Sequence, residues 1–600
     1  MKRVVSGIVL ALLLVSMWTG VFRTELVKAL NETVYIRADG SIDPPDAPIS
    51  TVDNVTYTLI GNITSDADGI VVERSNIIID GNGYTLQGTG AYAPKGIDLS
   101  SRSNITSKNT NIKDFSYGIL LSESSNISIT GNHITNNSWG GIGLWNSRYN
   151  SISGNHITNN GRIGITLTGL FGSSNNSIVG NVLVNDGLSV WDSYGNVVVD
   201  NLVNRKPLVY LEGVSDVVVE DAGQVVLVNC NRIIVENLNL SNTYIGVQLW
   251  QTNNATISGN NITNNGYGIE LESSSNHNNI IGNHITNNSE YGIRLIMGYN
   301  SKYNSIVGNY IINNRCGIES GAENSISGNH ITNNTYHGIE LESSYYSSIV
   351  GNSVTNNGYG GIYLDSSNYN NITENEIANN SQYGIRLYYS SNNRFWHNNF
   401  IDNAQQVLVE PAGYANVWDD DYPSGGNYWS DCNGTDLYSG SYQNETGSDG
   451  IGDTEYAIDG NNTDHYPLMG MFSEFDWISI AAPEQRIQTV CNSTMSNLVY
   501  NGTAINFDVT GDNGTSGFCR IRIPKVFMNS TFAVFVNGTE IAYTLLPCSN
   551  ETYSYLYFNY THSTQEVIII PEFPSFLMPL FMIATLLAFI AYKRKHCRTD

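Results

Sequence analysis

The chain has 600 residues, 54 acidic against 28 basic side chains and a formal charge of −26. Such an acidic balance excludes binding DNA or RNA through phosphates, which needs a basic surface. Charged residues are only 14% of the total, so polarity comes mainly from Asn, Ser, Thr, Gly and 37 Tyr; length does not count domains, because a repeat array can form one long solenoid.

Taken in chain order, Met1, Lys2 and Arg3 precede an apolar run from Val4 to Leu14, and Val27-Lys28-Ala29 supplies a small-residue cleavage site. Residues 1–29 therefore read as an export signal. Residues 30–54 are placed as an N-terminal cap. From 55 to 410 the phrase Gly-Asn-His-Ile-Thr-Asn-Asn recurs in varied spellings, with register glycines at 131, 154, 180, 259, 282, 308, 328 and 351. Apolar residues alternate with polar ones over short stretches that end in Asn or Gly, which predicts strands and turns. Three short strands per turn of about 23 residues make an all-β, right-handed parallel β-helix of about fifteen coils.

Ile152, Ile157, Ile165 and Leu167 are predicted to point inward, and the Asn after each register glycine, such as Asn132, Asn155 and Asn181, to form a stacked amide ladder. Between Gly180 and Gly259 the spelling changes but strand-like runs persist, so the coil is expected to continue with irregular rungs. Residues 411–472, acidic and rich in Trp and Gly, are assigned as the C-terminal cap. Residues 473–570 show a different all-β pattern, expected to form a small β-sandwich-like domain. Residues 571–600 combine an apolar run, Phe576 to Tyr592, with Lys593, Arg594 and Lys595, predicting a transmembrane anchor with a basic cytoplasmic tail. The body would then be exported and held at the cell surface. Acceptor triplets at Asn62, Asn104, Asn254, Asn371, Asn501, Asn529 and Asn559 fit a glycoprotein. Among Cys491, Cys519 and Cys548 one disulfide is expected.

Chemistry on a solenoid resides in columns of outward residues on adjacent coils, about 4.8 Å apart. One column brings Glu319 and Glu340 together, with Glu342 and Asp365 on the next outward position; four carboxylates there suit acid–base work on a uronate polymer or a calcium ion. The plainer reading is a solvated ladder neutralised by Arg294 and Arg386. Tyr291, Tyr363, Tyr383 and Tyr388 offer flat rings for stacking on sugars, although Tyr also favours strands for its own sake. His133 and His156 stack on a second column and suit copper or zinc, with an ordinary exposed strand position as the alternative. In the cap, Asp431, Asp449 and Asp453 have the Gly-punctuated look of a calcium loop, so a structural Ca²⁺ is the one cofactor suggested and none is required. There is no nucleophile elbow, phosphate loop or zinc motif.

Ile36-Arg37-Ala38-Asp39-Gly40-Ser41-Ile42, Lys206-Pro207-Leu208-Val209-Tyr210-Leu211, Gly426-Asn427-Tyr428-Trp429-Ser430-Asp431 and Asp449-Gly450-Ile451-Gly452-Asp453 resemble segments of archaeal surface proteins of NosD-like type. More broadly, the repeats resemble those of NosD-like and carbohydrate-processing β-helix families. The tail Pro571-Glu572-Phe573-Pro574-Ser575 looks like an archaeal PEF-type sorting signal. The resemblance implies a surface-anchored β-helix glycoprotein that binds or displays, with polysaccharide or envelope glycan and the membrane as partners. Its alternatives are a polysaccharide lyase, hydrolase or epimerase acting through coil-face carboxylates, and a copper-accessory protein.

Overall fold

The computed structural model describes residues 32–89, 94–161, 163–296, 301–475 and 485–572. They fall into two compact units, Met1–Ser275 and Asn276–Asp600. The fold is all-β, a right-handed parallel β-helix of about fifteen turns followed by two antiparallel sheets.

In the first unit a typical turn consists of Ser151–Ser153, His156–Thr158 and Ile163–Thr168. Each strand lies in parallel register on the turn before, pairing Ile129 with Ile152, Ile134 with Ile157 and Ile142 with Ile165. All six isoleucines are fully buried, as a period of two on a closed coil requires. The corners are made by left-handed residues, Gly154 at φ 60° and Asn159 at φ 54°, positions where Gly and Asn carry little strain. Behind each corner runs a ladder of buried amides: Asn132 Nδ2 donates to Asn155 Oδ1 at 3.1 Å, Asn155 to Asn181 at 2.9 Å, and Asn181 to Asn201 at 2.9 Å. A second ladder runs from Asn137 through Asn160 to Asp186.

The expectation that the coil simply continues through the irregular segment is corrected by a chain reversal. Leu202–Val203 and Lys206–Glu212 pair antiparallel around Asn204 and Arg205, both at positive φ (50° and 71°). The stack resumes from Lys206–Glu212, and its outward face lies against Leu188–Val190, the last strand of its sheet in the earlier stack. An exposed strand edge would leave backbone groups unpaired. Here side-chain amides complete it. Gln224 accepts from Leu188 N at 2.8 Å and donates to Leu188 O at 2.7 Å, and Gln248 accepts from Val190 N and donates to Val190 O, both at 3.1 Å. Trp191 Nε1 donates to Glu272 Oε1 at 2.6 Å, and burial beside Glu270 pushes the Glu272 carboxyl well up.

In the second unit the ladder runs from Asn283 through Asn309, Asn329, Asn352, Asn375 and Asn398 to Asn427. It ends at Asp464, which accepts from Asn427 N at 2.8 Å and from Trp429 Nε1 at 2.9 Å. The last rungs, Phe395 and Phe400, are covered by Trp418 and Trp429, each stacked at 4.3 Å. An Asp also ends the Asn137 ladder, where Asp186 takes the last rung. The final rung only accepts, so a carboxyl can replace the amide there. Beyond the cap, Met471–Phe475, Ile487–Cys491, Ser516–Pro524, Tyr553–Thr561 and Thr544–Leu545 form one antiparallel sheet. A second five-stranded sheet shares its core, which includes Ile505, Phe507, Ile521, Leu556 and Ile569.

Burial pushes Asp186, Asp464 and the cap's Asp436 up to about 7. Their folded-state values lie above the usual carboxylate range, so between about pH 4 and 7 the folded chain holds protons that the unfolded chain has released. These three carboxyls therefore contribute stability that is fully present in acid and is lost as pH rises through about 7, so Asp186→Asn should flatten that part of the profile, while the buried neutral His337 and His397 oppose it below about 6.5. Thermal unfolding followed by circular dichroism at pH 4.5, 6 and 7.5 checks this.

Cys491 and Cys519 are opposed register partners on neighbouring strands, both buried. Cys548 sits instead beside Tyr422 and Arg520. Of the three expected cysteines, the pair placed to cross-link is thus Cys491 with Cys519, at the cross-strand Cβ separation of about 4.5–5.5 Å that needs only a small closure. Peptide mapping of oxidised protein is expected to recover a Cys491–Cys519 disulfide and to leave Cys548 alkylatable.

The transmembrane part of the expected fold is corrected. No helix among the described residues is long and apolar enough to cross a membrane. The segment 573–600, like the export signal, lies outside the described residues.

Candidate functional site

One parallel sheet of the second unit carries Tyr291–Leu295, Cys316–Ser320, His337–Glu342, Gly360–Asp365, Tyr383–Tyr388 and Val407–Glu410. Isoleucines and leucines of alternate positions enter the core, leaving three columns on the outer face. Register places Arg294, Glu319, Glu340, Tyr363 and Arg386 in a line, and Glu342 beside Asp365. The four predicted carboxylates therefore lie on one face of adjacent coils.

Their environments differ. Glu319 is buried and takes Arg294 Nε at 3.0 Å; burial raises its carboxyl against the pull of that guanidinium. Glu340 is half-buried, and desolvation together with the neighbouring Glu319 charge pushes it up to about 7. The Cys316 thiol, itself pushed up to about 12 by burial, lies 3.6 Å from Glu340 Oε2 and donates to it. Glu342 is raised by partial burial and by Asp365, while Asp365 accepts from the Tyr363 hydroxyl at 3.1 Å.

The predicted tyrosines surround this line, all four half-buried. Tyr291 lies under Arg294, and Tyr363, Tyr383 and Tyr388 all face the Arg386 guanidinium at 5.4–5.9 Å. Arg386 also binds Glu410 at 2.8 Å.

His337 was not singled out from the sequence. It stacks on Tyr363 with ring centroids 4.9 Å apart and meets Tyr336 and Tyr359 at 4.3 and 5.1 Å. Burial, then Arg386 and Arg315, bring its pKa down to about 3, so the imidazole is neutral, and its Nδ1 is enclosed without a hydrogen-bond partner. Gly360 leaves it room, since a Cβ there would come within 3.1 Å of Nδ1. The available signal was an exception: sister coils place Tyr291, Tyr383 or Gly360 where this coil has His.

His133 and His156 are exposed register partners with ring centroids 4.7 Å apart. Burial first, then the His156 charge, lowers the His133 pKa. In the cap, Asp453 accepts from Thr435, Leu437 N and Tyr438 N, and Asp431 accepts from the Tyr456 hydroxyl. Asp449 is fully buried and binds Ile451 N. These aspartates tie loops together, and among the described residues no three His, Cys, Asp or Glu groups converge on one point. Of the acceptor asparagines, Asn104, Asn254, Asn501, Asn529 and Asn559 are exposed, whereas Asn62 and Asn371 are half-buried.

Residues 170–320 and 315–434 match the family model described as periplasmic copper-binding protein (NosD), and 68–221 match that of the right-handed beta helix region. The copper-binding match begins after both His133 and His156. No curated protein matches the chain. Similar solved structures include the periplasmic alginate epimerase AlgG, 14% identical over 61% of this chain and 81% of that one (TM-score 0.24). The mannuronan C-5 epimerase AlgE6 A-module of Azotobacter vinelandii is 13% identical over 58% and 88% (TM-score 0.29). The Dettilon tailspike protein is 14% identical over 85% and 87% (TM-score 0.26).

These findings support a right-handed β-helix with distant NosD-type similarity. Nothing in them points to an archaeal source or a C-terminal anchor, and the resemblance is corrected to that extent. The reading as a membrane-anchored envelope protein at the cell surface, with the membrane as partner, is corrected with it: among the described residues, which are all-β, no helix is long and apolar enough to cross a membrane.

Proposed function

We propose that the chain is a polysaccharide-processing enzyme that uses general acid–base chemistry on the outer face of the second unit. The observation that carries this is the unlike pair Glu319 and Glu340. They are register neighbours, one paired with Arg294 and the other shifted to about 7. Burial raises both carboxyls, but only Glu319 has a guanidinium partner to favour its charged form, which suits a division into charge-bearing partner and proton donor. Register neighbours sit on strands about 4.8 Å apart, which places both side chains on one stretch of a polymer lying across the coils.

In this reading Glu340 protonates the leaving oxygen as the glycosidic bond breaks and Glu319 attacks the anomeric carbon to form a glycosyl ester, which water, deprotonated by the Glu340 carboxylate, then hydrolyses to release the sugar and restore both carboxyls. Tyr383 and Tyr388 on the same face offer rings for stacking on sugars, while Tyr363 is stacked on His337 and positions Asp365. The full chain is assayed on neutral and uronate polysaccharides for new reducing ends, unsaturated ends and C5 inversion. New reducing ends are the expected result. Absence of all three products across the panel removes the enzymatic reading.

A further inference from the structure

The cap and the first antiparallel sheet of the second unit border a small, half-open recess lined by Ser424, Phe472, Gln488, Arg520, Arg522 and Tyr555. It is remote in sequence from the carboxylate face and takes no part in the reaction proposed above. Two of its walls are guanidinium groups. Arg520 is only 3% exposed, and the Nε atoms of Arg520 and Arg522 are both enclosed with no hydrogen-bond partner. An enclosed, unsatisfied charged donor is costly, and two bordering one recess are a recurrent cost unless something accepts from them.

The charges nearby leave the recess electropositive. Glu474 is engaged by Arg486 at 3.2 Å and by Gln488 Nε2 at 3.1 Å, and it shares a proton with Glu374, which burial pushes up to about 8. Asp449 lies towards Arg520, and its carboxyl is raised by burial. His397 is stacked on Phe472 at 3.9 Å, with Nε2 at the Ser424 carbonyl, and is held neutral because burial lowers its pKa to about 4. Arg522 faces the charge of Glu374, but no ion pair to it is formed among the described residues. The aromatic floor also suits a planar guanidinium: Arg520 lies 5.2 Å from the Tyr555 ring and Arg522 4.5 Å from Tyr553.

We infer that this recess is a binding site for a small oxyanion, a carboxylate, sulfate or phosphate group, held by the guanidinium groups of Arg520 and Arg522 that line it. Charge-assisted bonds from arginine to such oxygens are short and directional, and the arginine fork matches both planar and tetrahedral acceptors. Occupancy would also join the cap to the sheet that carries Ser516–Pro524, because Arg520 Nη2 already donates to the Pro423 carbonyl of the cap.

The test is isothermal titration of the full chain with sodium sulfate, phosphate and acetate, against sodium chloride at matched ionic strength. Saturable binding of at least one oxyanion is expected, and the arms tell a carboxylate site from a sulfate or phosphate site. Arg522→Gln, half-exposed and so the safer replacement, should weaken the constant by about tenfold or more, as loss of a charge-assisted bond implies. Arg522→Lys, which keeps the charge but loses the Nε–H, should weaken it as well. Heats indistinguishable from chloride, or binding unchanged in both variants, would overturn the site; a variant that does not fold leaves the wild-type titration and the other variant to decide.

Discussion

Glu340→Gln is expected to abolish most polysaccharide turnover, lowering kcat by about a hundredfold or more with little change in KM, the scale on which a positioned general acid contributes. The amide keeps the shape and the bond from Cys316 but cannot deliver a proton. Because Glu340 acts in its acid form and titrates at about 7, wild-type activity should hold below neutrality and fall as pH rises through 7. The Gln variant should lose that limb of the profile. Glu342→Gln, on the next outward column and not in the Glu319 line, is the control and should change turnover by less than about tenfold. An active Glu340→Gln enzyme with an unaltered pH profile would move the chemistry elsewhere.

Asn155→Ala is expected to be strongly destabilising to the first unit. Asn155 Oδ1 accepts from Asn132 N and Nδ2 at 2.9 and 3.1 Å, and its Nδ2 donates to Ile129 O and Asn181 Oδ1, both at 2.9 Å. Removing the amide leaves several buried groups unsatisfied at about 1–3 kcal/mol each, so a loss of roughly 3–5 kcal/mol follows. Scaled to a unit of this size, that lowers the thermal midpoint by about 5–10 °C. His156→Ala, one residue along but on the exposed face, should change stability by less than about 0.5 kcal/mol. Neighbours in the same repeated phrase thus differ by nearly an order of magnitude. Parallel melting curves of the two variants check this.

The repeat announced its own packing because each of its positions is filled by a residue type with a local reason to be there. Ile152 and Ile157 alternate with polar residues, and Gly154 and Asn159 take left-handed corners, so both the strands and the turns were legible. The reversal at Asn204 and Arg205 was not. Its strands keep the same alternation, and what distinguishes it is the edge that Gln224 and Gln248 complete, a contact with a strand 36 and 58 residues away. Likewise the carboxylate columns could be aligned from the repeat length. His337 could not be ranked, since its neutrality depends on Tyr336, Tyr359 and Tyr363 closing over it.

By itself the sequence determined the coil, its inward isoleucines, its asparagine ladders and which outward residues share a column, because stacking at a fixed rise turns spacing into proximity. Only the tertiary structure decided which of those outward groups are desolvated. Burial separates Glu340 from Glu342. It also encloses the Nε atoms of Arg520 and Arg522 at one recess. Desolvation depends on what other parts of the chain cover, and no repeat period encodes that.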